Sequence, residues 1–431
     1  MKGKSKTLSL SLSSLSLKYY NKKLIIQCLL IITIILIIIL CIKPPDKYKK
    51  YGRDRFIEKY LDSFRKKLPS SKYDRYMIEA DKSYPKDDII TTLSSNKIKG
   101  NQYKNKKKKR LICVTFIKAR WQSIDTLMNN MIYTNNQKAC DWAVIAYSGN
   151  PIIMPTLYNI SHSIGVNLIY AEMAPNAKKF LKRYWKYDNI DSINQQFYPK
   201  PIMHLQLLPY IKEYEYLWLI DDDISFEGIN FDKYFNILKC GFSPYPAPLI
   251  SQAPIYDNTQ RYKYLNNNKW NTSITNNIKM VASKFIEVQS PLINVDFFIW
   301  FIENIITPMI EVFALLGTDD GLDNIWCGAA KFYAQNYLDI KNTSNNINDE
   351  YNSCALVIGG QSVRHFNKAS SREGLNEYEY KVIHQNHRKH IAYILATKFR
   401  KWFIFGDDEY VNPFDSNKSN LKFVYDYKGT C

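Results

Sequence analysis

The sequence predicts an α/β fold, a mostly parallel sheet flanked by helices, and three observations predict it. From residue 111 onward, short apolar and β-branched runs alternate with stretches of helical apolar spacing. The fourth such run, "YLWLI" at 216–220, ends in three consecutive carboxylates, Asp221, Asp222 and Asp223, where parallel sheets place their ligands, outside the carboxyl ends of the strands. The 46% hydrophobic content of the 431 residues is that of a chain with a substantial core.

The elements follow in order. "LICVTF" (111–116) reads as a strand and "IDTLMNNMIY" (124–133) as a helix; "WAVIAYSG" (142–149) and "VNLIYA" (166–171) read as the second and third strands. "AKKFLKRYW" (177–185) and "MHLQLLPYIKEY" (203–214) carry helical spacing, and 216–220 is the fourth strand. Next come "PLISQAPI" (248–255), a polar Asn-rich loop over 257–277, and a strand leading into a buried helix over 285–306. "GTDDGLDNIWCGAAKFY" (317–333) reads as a loop opening a helix, since carboxylates favour helix N-termini. A last strand and its exit span 354–367, and a basic helix over 380–405 closes the domain.

Ahead of this domain lies a different kind of sequence. Residues 24–42 form 19 consecutive uncharged positions, interrupted in their apolar character only by Gln27 and Thr33. At 1.5 Å per residue they span roughly 28 Å, one hydrocarbon core. No small-residue cleavage site follows, so the segment is expected to stay as a signal-anchor helix. The boundaries drawn are a short basic tail (1–23), a transmembrane anchor (24–42), a basic stem (43–110) and a catalytic domain (111–431). The net charge of +19 resides wholly in the tail and stem, because 111–431 balances 31 basic against 31 acidic residues. A neutral body argues against a nucleic-acid partner. Lysines and arginines flank the span on both sides, so charge alone does not orient it.

Cys28 and Cys41 border or enter the span, and Cys113, Cys140, Cys240, Cys327, Cys354 and Cys431 follow it without a CxxC pair. The latter six fit lumenal disulfides and buried thiols equally. Asn159, Asn271, Asn342 and Asn417 each begin an N-x-S/T sequon.

Three adjacent carboxylates repel one another unless a cation joins them. On an extended segment Asp221 and Asp223 point the same way and Asp222 the opposite way, so two converge on a metal and one serves elsewhere. Their oxygens suit Mg²⁺ or Mn²⁺, ions that bind diphosphate oxygens in their remaining positions. A second acidic group holds Asp319, Asp320 and Asp323. An attacking acceptor hydroxyl must lose its proton, and Asp323 or Asp320 at a helix start is the candidate base, beside the alternative of plain capping. His365, leaving an apolar strand, is the candidate third metal ligand. His384, His387 and His390, on a Lys/Arg-rich stretch, read as a solvated face.

This order of elements, with Asp221-Asp222-Asp223 ending the fourth strand behind one anchor and a stem, resembles type II membrane glycosyltransferases of the GT-A (Rossmann-like) fold. More narrowly it resembles a plant-rich membrane family of unknown function, loosely labelled lysine-ketoglutarate reductase trans-splicing related. The matching residues are Asp221-Asp222-Asp223-Ile224, with Asp222 where that family has Glu; Asn230-Phe231 and Tyr234-Phe235; and Ser251-Gln252-Ala253-Pro254. Residues 286–300, Asp320-Gly321-Leu322-Asp323 with Asp320 where that family has Trp, and Arg364-His365 with Arg364 where it has Val, complete the likeness. The resemblance implies a nucleotide-sugar donor bound by Asp221, Asp222, Asp223 and Gln252, and Mn²⁺ or Mg²⁺ held by Asp221, Asp223 and His365. It also implies a glycan or glycoconjugate acceptor and a domain facing the Golgi or ER lumen. Two other readings stay open. One is a haloacid dehalogenase-type phosphohydrolase, whose nucleophile motif is echoed by Asp221-Asp222-Asp223-Ile224-Ser225, although three strand-helix units precede it here. The other is a non-enzymatic interaction protein using the polybasic stem on anionic lipid.

Overall fold

A computed structural model describes residues 108–174, 200–240, 247–256, 278–319, 321–338, 353–357, 359–366, 387–399, 402 and 423–425. The tail, the anchor at 24–42, the stem to 107, the helix at 177–185, the loop at 257–277, Asp320, His384 and the sequons at Asn271, Asn342 and Asn417 lie outside the described residues, as do Cys28, Cys41 and Cys431.

The chain opens with β1 (Lys109–Ala119), α1 (Trp121–Asn136), β2 (Asp141–Gly149), α2 (Ile153–Ser163), β3 (Leu168–Met173), α3 (Lys200–Ile211) and β4 (Tyr214–Asp221). From Leu111 to Ile117 every residue of β1 is buried, the mark of a strand covered on both faces. Leu217 and Leu219 of β4 join one core and Trp218 and Ile220 the other, the alternation a pleated strand imposes. Next come β5 (Ile224–Gly228), α4 (Phe231–Cys240), β6 (Ile250–Gln252), β7 (Ile255–Tyr256), β8 (Ile278–Ala282) and β9 (Leu292–Asn294).

The apolar run after β9 forms α5 (Val295–Phe301), a π-turn (Ile302–Ile306), a 3₁₀ turn (Thr307–Met309) and α6 (Ile310–Leu316). The Asn294 side chain caps α5 by accepting from Phe297 N at 3.1 Å. The irregular turns fall at Pro308, which has no N–H for the helical ladder. Gly317, with φ 64°, ends α6 in the left-handed conformation. Among the described residues, Val295–Ala314 is the one stretch long and apolar enough to cross a membrane, and about two-thirds of it is buried inside the protein. The chain continues through α7 (Asp323–Tyr337), β10 (Cys354–Val357), β11 (Ser362–His365), α8 (Arg388–Lys398) and β12 (Phe423–Tyr425).

The strands make a nine-stranded sheet in the order β12-β8-β10-β6-β9-β4-β1-β2-β3 and a three-stranded sheet in the order β5-β11-β7. The pairings run seven of the nine strands one way, with only β9 and β8 reversed. This is the expected α/β fold, a mostly parallel sheet flanked by helices. Helices α3, α5, α6, α7 and α8 cover one face, with Phe297, Phe313 and Leu395 in its core; α1, α2 and α4 cover the other around Trp218, Phe226, Phe231 and Tyr234.

Three times the chain leaves the carboxyl edge of the large sheet and enters the small one: β4 into β5, β6 into β7, and β10 into β11. What the sequence reads as one last strand over 354–367 is therefore two, divided by the turn at Gly359 and Gly360 and belonging to different sheets. The small sheet is held tightly, since a Cβ on Gly228 would lie 2.5 Å from the Ser362 carbonyl oxygen.

Two further sequence expectations are corrected or resolved. His387 and His390 are buried, at 2% and 4% exposure, instead of lining a solvated face. Their ring atoms serve the interior: Nδ1 of His387 lies 2.9 Å from the Leu316 carbonyl, and His390 stacks on Tyr393. Of the lumenal-type cysteines, Cys113 pairs with Cys140 and Cys327 with Cys354, and Cys240 is also disulfide-bonded.

Candidate active site

The three aspartates stand where β4 hands over to β5. The strand ends at Asp221, and Asp222 and Asp223 form the turn into β5, so strand alternation stops before it can align Asp221 with Asp223. Each carboxylate instead has its own partner from a different part of the chain.

Asp221 is anchored by its backbone, which donates to the Gln289 carbonyl at 3.0 Å, and its Oδ1 accepts from the Lys200 ammonium at 2.5 Å. Lys200 is the first residue of α3, and this pair is about three-quarters withdrawn from water. Asp222 turns toward the corner between β1 and α1. Its Oδ2 accepts from Ser123 Oγ at 2.8 Å, and Ser123 Oγ in turn accepts from Arg120 Nε at 3.2 Å. Asp223 meets His365, with Oδ1 3.3 Å from the imidazole Nε2 and the two side chains only 10% and 9% exposed. The register of the small sheet brings them together: Ile224 stands opposite His365, and Phe366 N donates to the Asp223 carbonyl at 2.9 Å.

The electrostatics follow from crowding carboxylates into a dry seam. Burial raises the pKa of Asp221 above the usual carboxylate value and the charge of Asp223 adds to it, while Lys200 and His365 oppose the rise. Asp222 is pushed up to about 6, by burial first and by its two neighbours second, against the Ser123 hydrogen bond. Burial would strip Lys200 of its proton, but the charges of Asp221, Asp319 and Asp223 outweigh it and hold the ammonium charged. Asp319 thus belongs to this cluster.

Of the other residues singled out by sequence, Gln252 is buried and spends its amide on one backbone: Nε2 donates to the Glu287 carbonyl at 3.2 Å and Oε1 accepts from Glu287 N at 3.3 Å. It fixes the segment whose Gln289 and Pro291 carbonyls bind the end of β4. Asp323 sits in the first turn of α7, where its Oδ1 accepts from Asn324 N at 3.0 Å. Sequence reasoning missed Lys200 and Ser123. Nothing local marks either one; the available signal for Lys200 is a lone basic residue opening an apolar helix in a chain that must balance three aspartates.

Part of the donor set has the spacing that a divalent cation requires. Two ligands at about 90° on an ion with bonds of about 2.1 Å stand about 3 Å apart. The 3.3 Å spacing of Asp223 Oδ1 and His365 Nε2, both dry, fits that requirement. Among the described residues no group of three or more His, Cys, Asp or Glu side chains is placed to hold a metal ion, so Asp221 does not join Asp223 and His365 in one three-ligand set. An ion here would complete its shell from a substrate and water, as an open site requires.

No protein-family model matches the chain, and no curated protein does. Solved structures similar to it include a mycobacterial protein (TM-score 0.32, 7% identity, 68% of this chain and 75% of the other). Core-mannan synthase A from Aspergillus fumigatus in its Mn/GDP form is similar at TM-score 0.26 and 10% identity, over 48% of this chain and 67% of that one. The mannosyltransferase Ktr4p from S. cerevisiae follows at TM-score 0.25 and 10% identity, over 56% and 77%. At this level of overlap no substrate or residue role passes from them to this chain.

Proposed function

We propose that the protein is a metal-dependent glycosyltransferase that moves a sugar from a nucleotide-sugar to a glycan, glycoprotein or glycolipid acceptor. The observation that carries this reading is the dry Asp223–His365 pair at the seam of two sheets, beside Asp221 and its lysine. Asp223 and His365 would hold Mn²⁺ or Mg²⁺, with Asp221 adjoining them. A bound ion would act as a Lewis acid, neutralising charge on the departing diphosphate. Asp222, held by Ser123 at the β1–α1 corner, is assigned to the donor, and Gln252 would support the site indirectly by fixing the segment behind Asp221. On the acceptor side, Asp323 and Asp320 are the carboxylates proposed to take the hydroxyl proton.

The further proposal that the domain faces the Golgi or ER lumen behind a single-pass anchor is supported by its disulfides, which persist in oxidising compartments, and by the exposed sequon at Asn159.

The test is calorimetry of UDP and GDP, with and without Mn²⁺, on the detergent-solubilised full chain and on its Asp223→Asn and His365→Ala variants. Metal-dependent binding that both variants lose, with unchanged melting curves, is the expected outcome. Equal binding by wild type and Asp223→Asn would refute it.

A further inference from the structure

We propose that Lys200 reads the terminal phosphate of a nucleoside diphosphate bound at the Asp223–His365 pair. This rests on the donor reading above and assigns a residue that nothing in the motif pattern names.

The Lys200 side chain ends in one ammonium group. It has three N–H donors, of which one is spent on Asp221 at 2.5 Å. A second contact, to the Val288 carbonyl, is 3.5 Å long and at the outer limit of a hydrogen bond. Among the described residues Lys200 has no other partner, so at least one donor remains for a ligand in a site from which most water is already excluded.

Charge then says what that ligand is. Asp221, Asp319 and Asp223 act on this one lysine, and Asp222 adds a fourth carboxylate beside Asp221 and Asp223. The lysine does not neutralise the cluster, and a divalent cation at Asp223 and His365 would still leave it slightly negative. A nucleoside diphosphate adds close to three more negative charges, about two of them on its terminal phosphate. Such a group approaches only if cationic charge is presented to it directly. Lys200 supplies this beside the proposed ion, because Asp221 links the two: it bonds Lys200 while feeling the charges of both Asp223 and His365. A terminal phosphate between an ammonium and a divalent ion can accept from one and ligate the other. With the nucleoside seated so that its α-phosphate ligates the ion, only a diphosphate carries a second phosphate on to the ammonium, and a monophosphate leaves Lys200 unused.

The experiment uses the detergent-solubilised full chain as wild type, Lys200→Met, Lys200→Gln and Lys200→Arg. Binding of Mn²⁺ alone is measured first, then UDP, GDP, ADP and CDP and their monophosphates in saturating Mn²⁺, with melting curves to establish folding. The expected result is a wild-type preference for diphosphate over monophosphate that falls about tenfold or more in the Met and Gln variants. Monophosphate binding should stay within about twofold, and the Arg variant should keep most of the preference. If Lys200 is a counter-ion only, folded Met and Gln variants will bind Mn²⁺ alone more tightly and leave the preference unchanged, which overturns the proposal. A wild-type protein that binds none of the diphosphates overturns the donor reading and this proposal together, whereas metal-dependent diphosphate binding with an unchanged preference overturns this proposal alone.

Discussion

Replacing Asn130 by alanine should destabilise the domain by about 4 kcal/mol, and the number follows from two hydrogen bonds. Asn130 lies on α1 at 3% exposure. Its Nδ2 donates to the Ile224 carbonyl at 2.7 Å, and its Oδ1 accepts from Phe226 N at 2.9 Å, so one side chain mimics a neighbouring strand along β5. Alanine leaves a buried carbonyl and a buried N–H without partners, each costing about 1–3 kcal/mol, with a small cavity term added. The total of about 2–6 kcal/mol is a large share of the 5–15 kcal/mol that typically holds a domain together. Asn130→Asp is the sharper control: it keeps the acceptor for Phe226 but faces the Ile224 carbonyl with a second oxygen, and is expected to be at least as damaging. Urea unfolding of the solubilised full chain, followed by the fluorescence of buried Trp142 and Trp218, measures the loss. A change below about 1 kcal/mol for both variants would show that Asn130 of α1 does not hold β5, and the turn bearing Asp223 that leads into it, in place.

Two further expectations concern the opposite face. Gly328→Ala should destabilise by about 1–3 kcal/mol although alanine is the better helix former, because its Cβ would sit 2.4 Å from the Trp402 Cβ and 2.5 Å from its Cα; a higher melting temperature would refute that packing. His204 lies between Phe116 and Phe298 with neither ring nitrogen hydrogen-bonded among the described residues, and burial, with Lys200 second, lowers its pKa from 6.5 to about 3. The unfolded chain therefore takes up a proton that the folded chain refuses: stability is full above pH about 6.5 and is lost as the pH falls toward 3, by on the order of 5 kcal/mol at most. His204→Leu should flatten this slope in denaturant titrations between pH 7 and 4, and parallel curves for the two proteins would count against a neutral buried ring.

The parts of this site that were legible are those whose signal is local. Five apolar or aromatic residues running into Asp221 mark a buried strand and its exposed end, because a strand covered on both faces needs an unbroken apolar run. His365 was legible as a residue type leaving a strand, though not as a member of a second sheet. The strand boundaries were read a few residues short, as at β1, which starts at Lys109 because the ion pairs of Lys109 with Asp141 and of Arg110 with Asp232 let charged residues enter its edge. The buried pair His387 and His390 was illegible, because a Lys/Arg-rich stretch looks solvated until the face turned inward is known.

What no window of sequence contains is the set of crossings from one sheet to the other. The β4–β5 crossing delivers Asp222 and Asp223, the β6–β7 crossing follows directly on Gln252, and the β10–β11 crossing ends on His365. These positions are separated by 30 to more than 100 residues, and the small sheet alone determines which of them touch. Its β5–β11 register sets His365 opposite Ile224 and hence beside Asp223; a shift of one residue would turn His365 to the other face and set Arg364 in its place. The candidate metal pair is therefore a property of strand register. It should respond to substitutions at Asn130 and Gly228, which touch neither ligand but hold β5 and β11 in line.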